Sequence, residues 1–315
     1  MAQYLITGAS GWIARALAQE LIGTGHSVWG LTRRAHSVGE GIQEWVHTPP
    51  DFEDLDKAWP LDRRFDAVVH LAARVHSPPV GRDDEEISYR SSNSTATLRV
   101  AKLARERGVQ RFVFLSSVKA LGEKDPGRPL REDDLACPED AYGRSKLEAE
   151  EGLRALEGIE TVILRPPLVY GPGVRANFFR LMAAIERGWP LPLGCAQAQR
   201  SLIYLDNLVD ALVRALGDVR ARGRLYHVAD AETLSVRDLL LFIGQQLQRP
   251  ARLVPVPLSF LRGAGRLLGY EAEVGRLTES LRLDTTLIRS ELDWSPPLSA
   301  QTGLARTAAW FKTSC

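Results

Sequence analysis

Tyr142 and Lys146 stand four residues apart in AYGRSKLEAE, residues 141–150. Ala, Leu, Glu and Lys dominate from Ser145 to Leu156, which favours a helix, and positions four apart on a helix share a face. A phenol beside an ammonium is an acid couple, because the cation favours the phenolate and draws its pKa down from about 10 toward the working pH. On a solvated face the same spacing would do nothing. A second chemical signal lies in TGASGWIA, residues 7–14. Gly8 permits a tight turn, and Gly11 lets backbone N–H groups approach a pyrophosphate at the helix start marked by Ser10, Trp12 and Ile13. Ala14 stands where a third glycine usually lets helix and strand pack closely. Such a turn binds a dinucleotide only between a strand and a helix.

Those elements are legible. QYLITG reads as a strand and WIARALAQELIGTG as a helix closed by glycine. HSVWGLTR, FDAVVHLAA and VQRFVFLSS read as further strands, with NSTATLRVAKLARERG a helix before the last of them. The unbroken apolar character of AVVHLAA and FVFL suits strands covered on both faces, as in a parallel sheet. The repeated βαβ rhythm predicts an α/β fold, a Rossmann-type doubly wound parallel sheet. Prolines and glycines cluster around residues 166–194 and 250–269, where the rhythm changes. The expected division is a dinucleotide-binding domain over 1–167 and 199–230, and a smaller C-terminal substrate-binding lobe over 168–198 and 231–315.

The second strand ends in GLTRRA, where an NAD site usually places an acidic residue on the ribose 2′-hydroxyl. Arg33 and Arg34 suit a 2′-phosphate instead, unless they are solvated loop residues, so NADP(H) is favoured and NAD(H) stays open. Asp51 and Phe52, after the third strand, would flank the adenine. Leu71, Ala72 and Ala73 would border the dinucleotide.

Composition narrows the remaining classes. Of 315 residues, 44% are hydrophobic and 25% charged, the balance of a soluble globular chain. A net charge of +1 suggests no general affinity for nucleic acid or anionic lipid. Cys137, Cys195 and Cys315 lack metal-ligand and CxxC spacing and read as reduced thiols of a cytosolic protein. The six histidines form no HxxxH or HxH pattern, so no catalytic metal is expected. The opening YLIT reads as a buried strand and not a signal peptide. No apolar run reaches the roughly 18 residues of a membrane span. A cytoplasmic location, with no nucleic-acid partner and no membrane insertion, is the expectation.

In order along the chain, TGASGWIA, HLAA at 70–73, Asn93 in NSTAT, FVFLSS at 112–117, YGRSK at 142–146, LRPPLVYGPG at 164–173 and RSLIYLDNLVDA at 200–211 resemble the extended short-chain dehydrogenase/reductases, the NAD-dependent epimerase/dehydratase family. The resemblance spans almost the whole length. HLAARVH, FLSSVKALGE and PEDAYGRSKLEAE are most similar to bacterial UDP-sugar reductases and epimerases of surface-polysaccharide synthesis.

The resemblance implies that Tyr142 gives or takes the proton and that Lys146 supports it and holds the nicotinamide ribose. Ser117, or Ser116 by a shift of one residue, would hydrogen-bond the reacting sugar oxygen. Asn93 would help order the centre, a role compatible with an N-cap, and Pro167 would border the cofactor. Arg200 would meet the nucleotide-sugar diphosphate, with Arg175, Arg276 and Arg282 as looser candidates. Asn177 and Phe178 would close around the nucleotide. Lys119 would face the sugar or pyrophosphate, or else solvent. The implied activity is NADP(H)-dependent reduction of the C4 ketone of a UDP-4-keto-6-deoxy-N-acetylhexosamine, forming UDP-N-acetylquinovosamine. The alternatives are a 4-epimerase of UDP-hexose or UDP-N-acetylhexosamine with tightly bound NAD, and a non-catalytic dinucleotide sensor. The implied partners are a UDP-sugar and, as a homodimer packed through helices near 93–107 and 142–156, a second copy of the chain.

Overall fold

In a computed structural model, which describes residues 1–75 and 81–314, strands and helices alternate through the first half of the chain. The strands are β1 (Gln3–Thr7), β2 (Ser27–Thr32), β3 (Gln43–Val46), β4 (Ala67–His70), β5 (Arg111–Leu115) and β6 (Glu160–Arg165). Between them run α1 (Trp12–Gly23), α2 (Leu55–Ala58), α3 (Arg82–Tyr89), α4 (Ala96–Glu106) and α5 (Ala141–Arg154). The second half adds short strands β7 (Leu168–Tyr170), β8 (Gln199–Arg200), β9 (Leu202–Tyr204), β10 (Leu225–His227) and β11 (Leu234–Ser235). Its helices are α6 (Ala176–Glu186), α7 (Leu205–Gly217), α8 (Val236–Leu247), α9 (Leu258–Leu268), α10 (Glu271–Thr278), α11 (Thr286–Leu292) and α12 (Ala300–Ser314).

Seven strands form the main sheet in the order β10-β6-β5-β4-β1-β2-β3, every pairing parallel. All residues of β4 and β5 are buried, as strands sandwiched between helical layers must be. On one face α1 contributes Ala14, Leu17, Ala18 and Leu21, an apolar stripe at helical spacing, and packs with α7. On the other, α4 and α5 bring Val100, Ala104, Ala149 and Leu153. The strand order turns back between β1 and β4, and in such sheets the crevice beyond the strand ends at that point receives ligands.

A second core joins α6, α8 and α12 through Tyr170, Phe178, Met182, Leu240 and Phe311. Two small sheets, β7 with β9 and β8 with β11, bind it to the main body.

The helix expected to begin at Asn93 starts earlier. It opens as α3 at Arg82, passes through a π-helical turn at Arg90–Thr95 and continues as α4. Asn93 is therefore inside a continuous helix and is not an N-cap. π turns of this kind are frequent at functional sites.

Candidate active site

A cleft of about 550 Å³ opens at the ends of β1, β2 and β4. Its walls include Gly8, Ser10, Gly11, Arg33, Asp51, Phe52, Leu71, Ala72 and Ala73, which the sequence had marked, and Leu31, Thr32, Pro49, Arg74, Val75 and Ser92, which it had not. Gly8 has φ of +67°, and a Cβ there would lie 2.8 Å from the backbone of Ala72. The first turn thus presses directly on the loop after β4, and no side chain fits between them. Gly11 starts α1 without a side-chain cap, leaving the first-turn N–H groups to an outside acceptor. Uncapped donors at a helix N-terminus, on the floor of a large cleft, fit the pyrophosphate of a dinucleotide.

Arg33 joins the cleft wall and Arg34 is exposed beside it, with no acidic partner for either among the described residues. Three expected neighbours place their side chains elsewhere, although Trp12 and Ile13 supply two of those first-turn N–H groups. Trp12 sends its indole N–H to the Pro172 carbonyl, 2.7 Å away, fastening α1 to the loop after β7. Ile13 packs on the main core and Pro167 is buried.

Beneath the cleft runs a chain of buried polar groups that the sequence did not disclose, although a histidine in the otherwise apolar strand AVVH was its signal. The Ala72 N–H donates to Thr7 Oγ1 at 3.3 Å, and Thr7 Oγ1 lies 3.0 Å from His70 Nδ1. His70 Nε2 lies 3.1 Å from Thr97 Oγ1, whose proton goes to the Asn93 carbonyl at 2.6 Å. Because Thr97 spends its proton on Asn93, His70 must carry hydrogen on Nε2 and accept from Thr7 at Nδ1. Burial, then the Lys146 charge, holds the His70 pKa down to about 3, so the ring is neutral.

The Asn93 amide finishes the chain. Its oxygen accepts from the Arg74 N–H at 2.8 Å, and its nitrogen donates to the Arg74 carbonyl at 3.0 Å and to Ser145 Oγ at 3.1 Å. It positions the cleft wall against α5 and sends no hydrogen bond to Tyr142. Asp51, in a left-handed conformation with φ of 50°, accepts from Ser91 at 2.5 Å and Ser92 at 2.9 Å, so the π turn also holds the loop after β3.

α5 is capped by Asp140, which accepts from the Gly143 N–H at 2.7 Å. This sets Tyr142 and Lys146 in the first two turns. Tyr142 stands edge-on to Tyr89 with ring centroids 6.1 Å apart, and the Tyr89 hydroxyl donates to the Val75 carbonyl in the cleft wall. Burial raises the phenol well above the ordinary range, with the nearby Ser117 side chain opposing the rise. Lys146 stands one turn on, its Nζ 5.9 Å from the Tyr142 ring centroid. Its ammonium donates to the Leu115 carbonyl at 2.9 Å, and burial pushes its own pKa down to about 7 against the opposing charge of Glu150. In this geometry the ammonium turns to a backbone carbonyl and not to the phenol.

The two serines part company. Ser116 is buried and donates to Glu150 at 2.5 Å, and Glu150 forms a buried ion pair with Arg165 at the same distance. Ser116 is thus a structural residue turned away from any ligand. Ser117 lies near the Tyr142 phenol and caps a short 3₁₀ turn by accepting from the Lys119 N–H at 3.2 Å.

The expected anion receptors are mostly engaged. Lys119 pairs with Glu123 at 2.9 Å and Asp140 at 2.5 Å, and Glu123 also takes Arg276 at 3.1 Å. Arg282 is bidentate on Asp125. Arg200 differs, since among the described residues its guanidinium hydrogen-bonds only the carbonyls of Glu279 at 3.2 Å and Glu123 at 3.5 Å. Arg175 and Asn177 lie exposed at the start of α6. Phe178 does not face a ligand. It is buried in the second core, stacked on Tyr170. Glu123, four residues after Lys119, is the group here that sequence reasoning missed. Among the described residues no cluster of His, Cys, Asp and Glu could hold a metal ion, and no helix is long and apolar enough to cross a membrane.

Comparison with known proteins agrees with this geometry. The model of the NAD dependent epimerase/dehydratase family matches residues 4–229. UDP-glucose 4-epimerase of Vibrio cholerae is 36% identical over 98% of this chain and 94% of its own length. Among solved structures, UDP-glucuronic acid 4-epimerase from Bacillus cereus in complex with NAD aligns over 99% of both chains with a TM-score of 0.78 and 22% identity. UDP-glucose 4-epimerase of Thermotoga maritima with UDP-glucose does so with a TM-score of 0.79 and 20% identity. These last two speak for the fold. From the glycine turn to the last strand of the main sheet, the chain belongs to the NAD dependent epimerase/dehydratase family of enzymes, within the extended short-chain dehydrogenase/reductases.

Proposed function

We propose that the protein is a UDP-sugar 4-epimerase that works with NAD. The observation that carries this reading is the meeting of Ser117 and Tyr142 beside a dinucleotide-sized cleft, in a chain 36% identical over nearly its full length to a UDP-glucose 4-epimerase. The bound dinucleotide would supply a hydride acceptor that is restored within each turnover. The side chains handle protons and position. Tyr142 exchanges a proton with the sugar C4 oxygen, and Ser117 donates a hydrogen bond to that oxygen as charge develops on it. Lys146, in the next turn, holds the nicotinamide ribose. Arg200, hydrogen-bonded to backbone carbonyls, receives the diphosphate, and the energy of that remote contact helps hold the pyranose against Tyr142. Purified protein given UDP-glucose or UDP-N-acetylglucosamine without added cofactor should form the C4 epimer and release NAD on denaturation. Failure to form it, with a 4-keto sugar reduced only on addition of NADPH, would sink this reading.

That outcome is the second reading, an NADP(H)-dependent 4-reductase forming UDP-N-acetylquinovosamine. Arg33 in the cleft wall, with no acidic residue at the end of β2, favours it. A homodimer packed through α4 and α5 accompanies both readings. The exposed Ile87 and the groove between Arg90, Leu98 and Lys102 support it, and sedimentation showing monomer alone would reject it.

A further inference from the structure

One face of the smaller lobe differs from the rest of the surface. On α9, Phe260 is 70% exposed, Leu267 86% and Leu268 68%. Spacings of seven and eight residues put them on one side of the helix, with Gly263 and Ala264 between. The other side faces the protein, Leu261 packing on the second core and Gly265 pressed against Val274 of α10. A helix that faced only water would be polar on its outer side, whereas this one is apolar there too. Exposed Tyr270 follows α9, and Val254 precedes it. The turn after α6, bridged to the segment before α9 through Leu191 and Leu253, exposes Trp189 beneath the Arg187 guanidinium.

Basic charge predominates around this face, with Glu186 at one border and Glu271 and Glu273 of α10 at another. Residues 239–270 contain Arg249, Arg252, Arg262 and Arg266 and no Asp or Glu. Arg249 leans on Glu186 at 3.7 Å and Arg266 on Glu271 at 3.1 Å. Arg262 meets only Thr278, and Arg252 has no carboxylate partner among the described residues. A near-neutral chain has thus gathered basic and apolar groups on one helix and its approaches.

We propose that this face seats the protein on an anionic lipid bilayer. The outer side of α9 enters the boundary between headgroups and acyl chains, the arginines meet lipid phosphates, and Trp189 and Tyr270 lie at headgroup depth. The excess of basic charge, with Arg252 and Arg262 free of carboxylate partners among the described residues, favours an anionic surface over a second copy of this chain, whose matching face would repeat that excess. Because α9 packs on α10, whose Arg276 reaches Glu123, the seat lies beside the substrate end of the site. The inference is independent of which sugar is bound.

Vesicle co-sedimentation with the full-length protein tests it. The protein should pellet with vesicles of equimolar phosphatidylglycerol and phosphatidylcholine, much less with phosphatidylcholine alone, and less again as salt is raised. The double variant Phe260→Asp, Leu267→Asp should bind about tenfold more weakly or not at all, with circular dichroism and turnover of soluble substrate unchanged. Arg252→Gln should weaken binding about fivefold. Leu267→Trp keeps the face apolar, and its fluorescence should be quenched by lipids brominated along their acyl chains. Three results would overturn the proposal: no pelleting with either vesicle, full binding by the double variant, or no quenching of the tryptophan. Concentration-dependent self-association lost in the double variant, without lipid binding, would overturn it too by giving the face to a second copy.

Discussion

Lys146 directs its ammonium at the carbonyl of Leu115, 2.9 Å away, and not at the phenol of Tyr142 one helical turn earlier. It stands 4.5 Å over the Phe114 ring and 5.9 Å from the Tyr142 ring centroid. Burial has brought its pKa from 10.5 to about 7. Between those values the unfolded chain binds a proton that the folded one has released, so stability contributed by this residue rises with pH across that window and is flat below it. Urea unfolding of wild type and Lys146→Met should show the stability difference moving in favour of wild type as pH climbs from about 7. Parallel profiles would mean that Lys146 keeps an ordinary pKa.

Chemistry should depend on the phenol far more than folding does. Tyr142→Phe is expected to lower kcat by about 100-fold to 10,000-fold, and Ser117→Ala by about 100-fold or more. Both should retain bound dinucleotide, since neither side chain forms the floor of the cleft. Unchanged turnover in Tyr142→Phe would remove this residue from the mechanism.

The buried Asn93 side chain makes three hydrogen bonds to two separate segments. At about 1 kcal/mol each, Asn93→Ala should cost about 3 kcal/mol of stability and loosen cofactor retention, because Arg74 would no longer be held. Denaturant unfolding and release of the dinucleotide on gel filtration measure the two effects. A loss below about 1 kcal/mol would show the contacts to be incidental.

Direction of hydrogen bonding from Ala72 to Asn93 makes a spectroscopic prediction about His70. Nitrogen NMR should find its ring neutral, protonated on Nε2, and unchanged from neutral pH down to the acid limit of folding. Titration near the ordinary histidine value, or hydrogen on Nδ1, would contradict the chain of donors.

Glu123 draws Lys119 and Arg276 to itself next to Arg200. Glu123→Gln removes a negative charge from the place where the diphosphate is proposed to sit, and should lower KM for a UDP-sugar about fivefold, the effect of about 1 kcal/mol for a partly solvated pair. An increase in KM would instead mean that Glu123 is needed to position Arg276.

Local features were readable in the sequence because each is written within a few residues. The glycines of TGASGWIA, the apolar runs of β4 and β5, and Tyr142 with Lys146 on one helix face need only neighbours to define them. Phe178 could have been read correctly too, since with Met182 and Ile185 it makes an apolar stripe at helical spacing in ANFFRLMAAIE, the mark of a core position. Ionic partners were out of reach. Arg276 and Glu123 meet across 153 positions, and no local pattern states that pairing. Spacing also could not tell where the Lys146 ammonium would turn, because a shared face brings two side chains near without choosing the acceptor between them.

The π turn at Arg90–Thr95 makes the length of this segment as consequential as its composition. Removing any one residue there would let the helix relax to ordinary winding and rotate all that precedes it by about 100° relative to α4. Ser91, Ser92 and Asn93 would swing off Asp51, Arg74 and Ser145 together. In homologous chains, gaps should therefore be scarce across these six positions even where residue types drift.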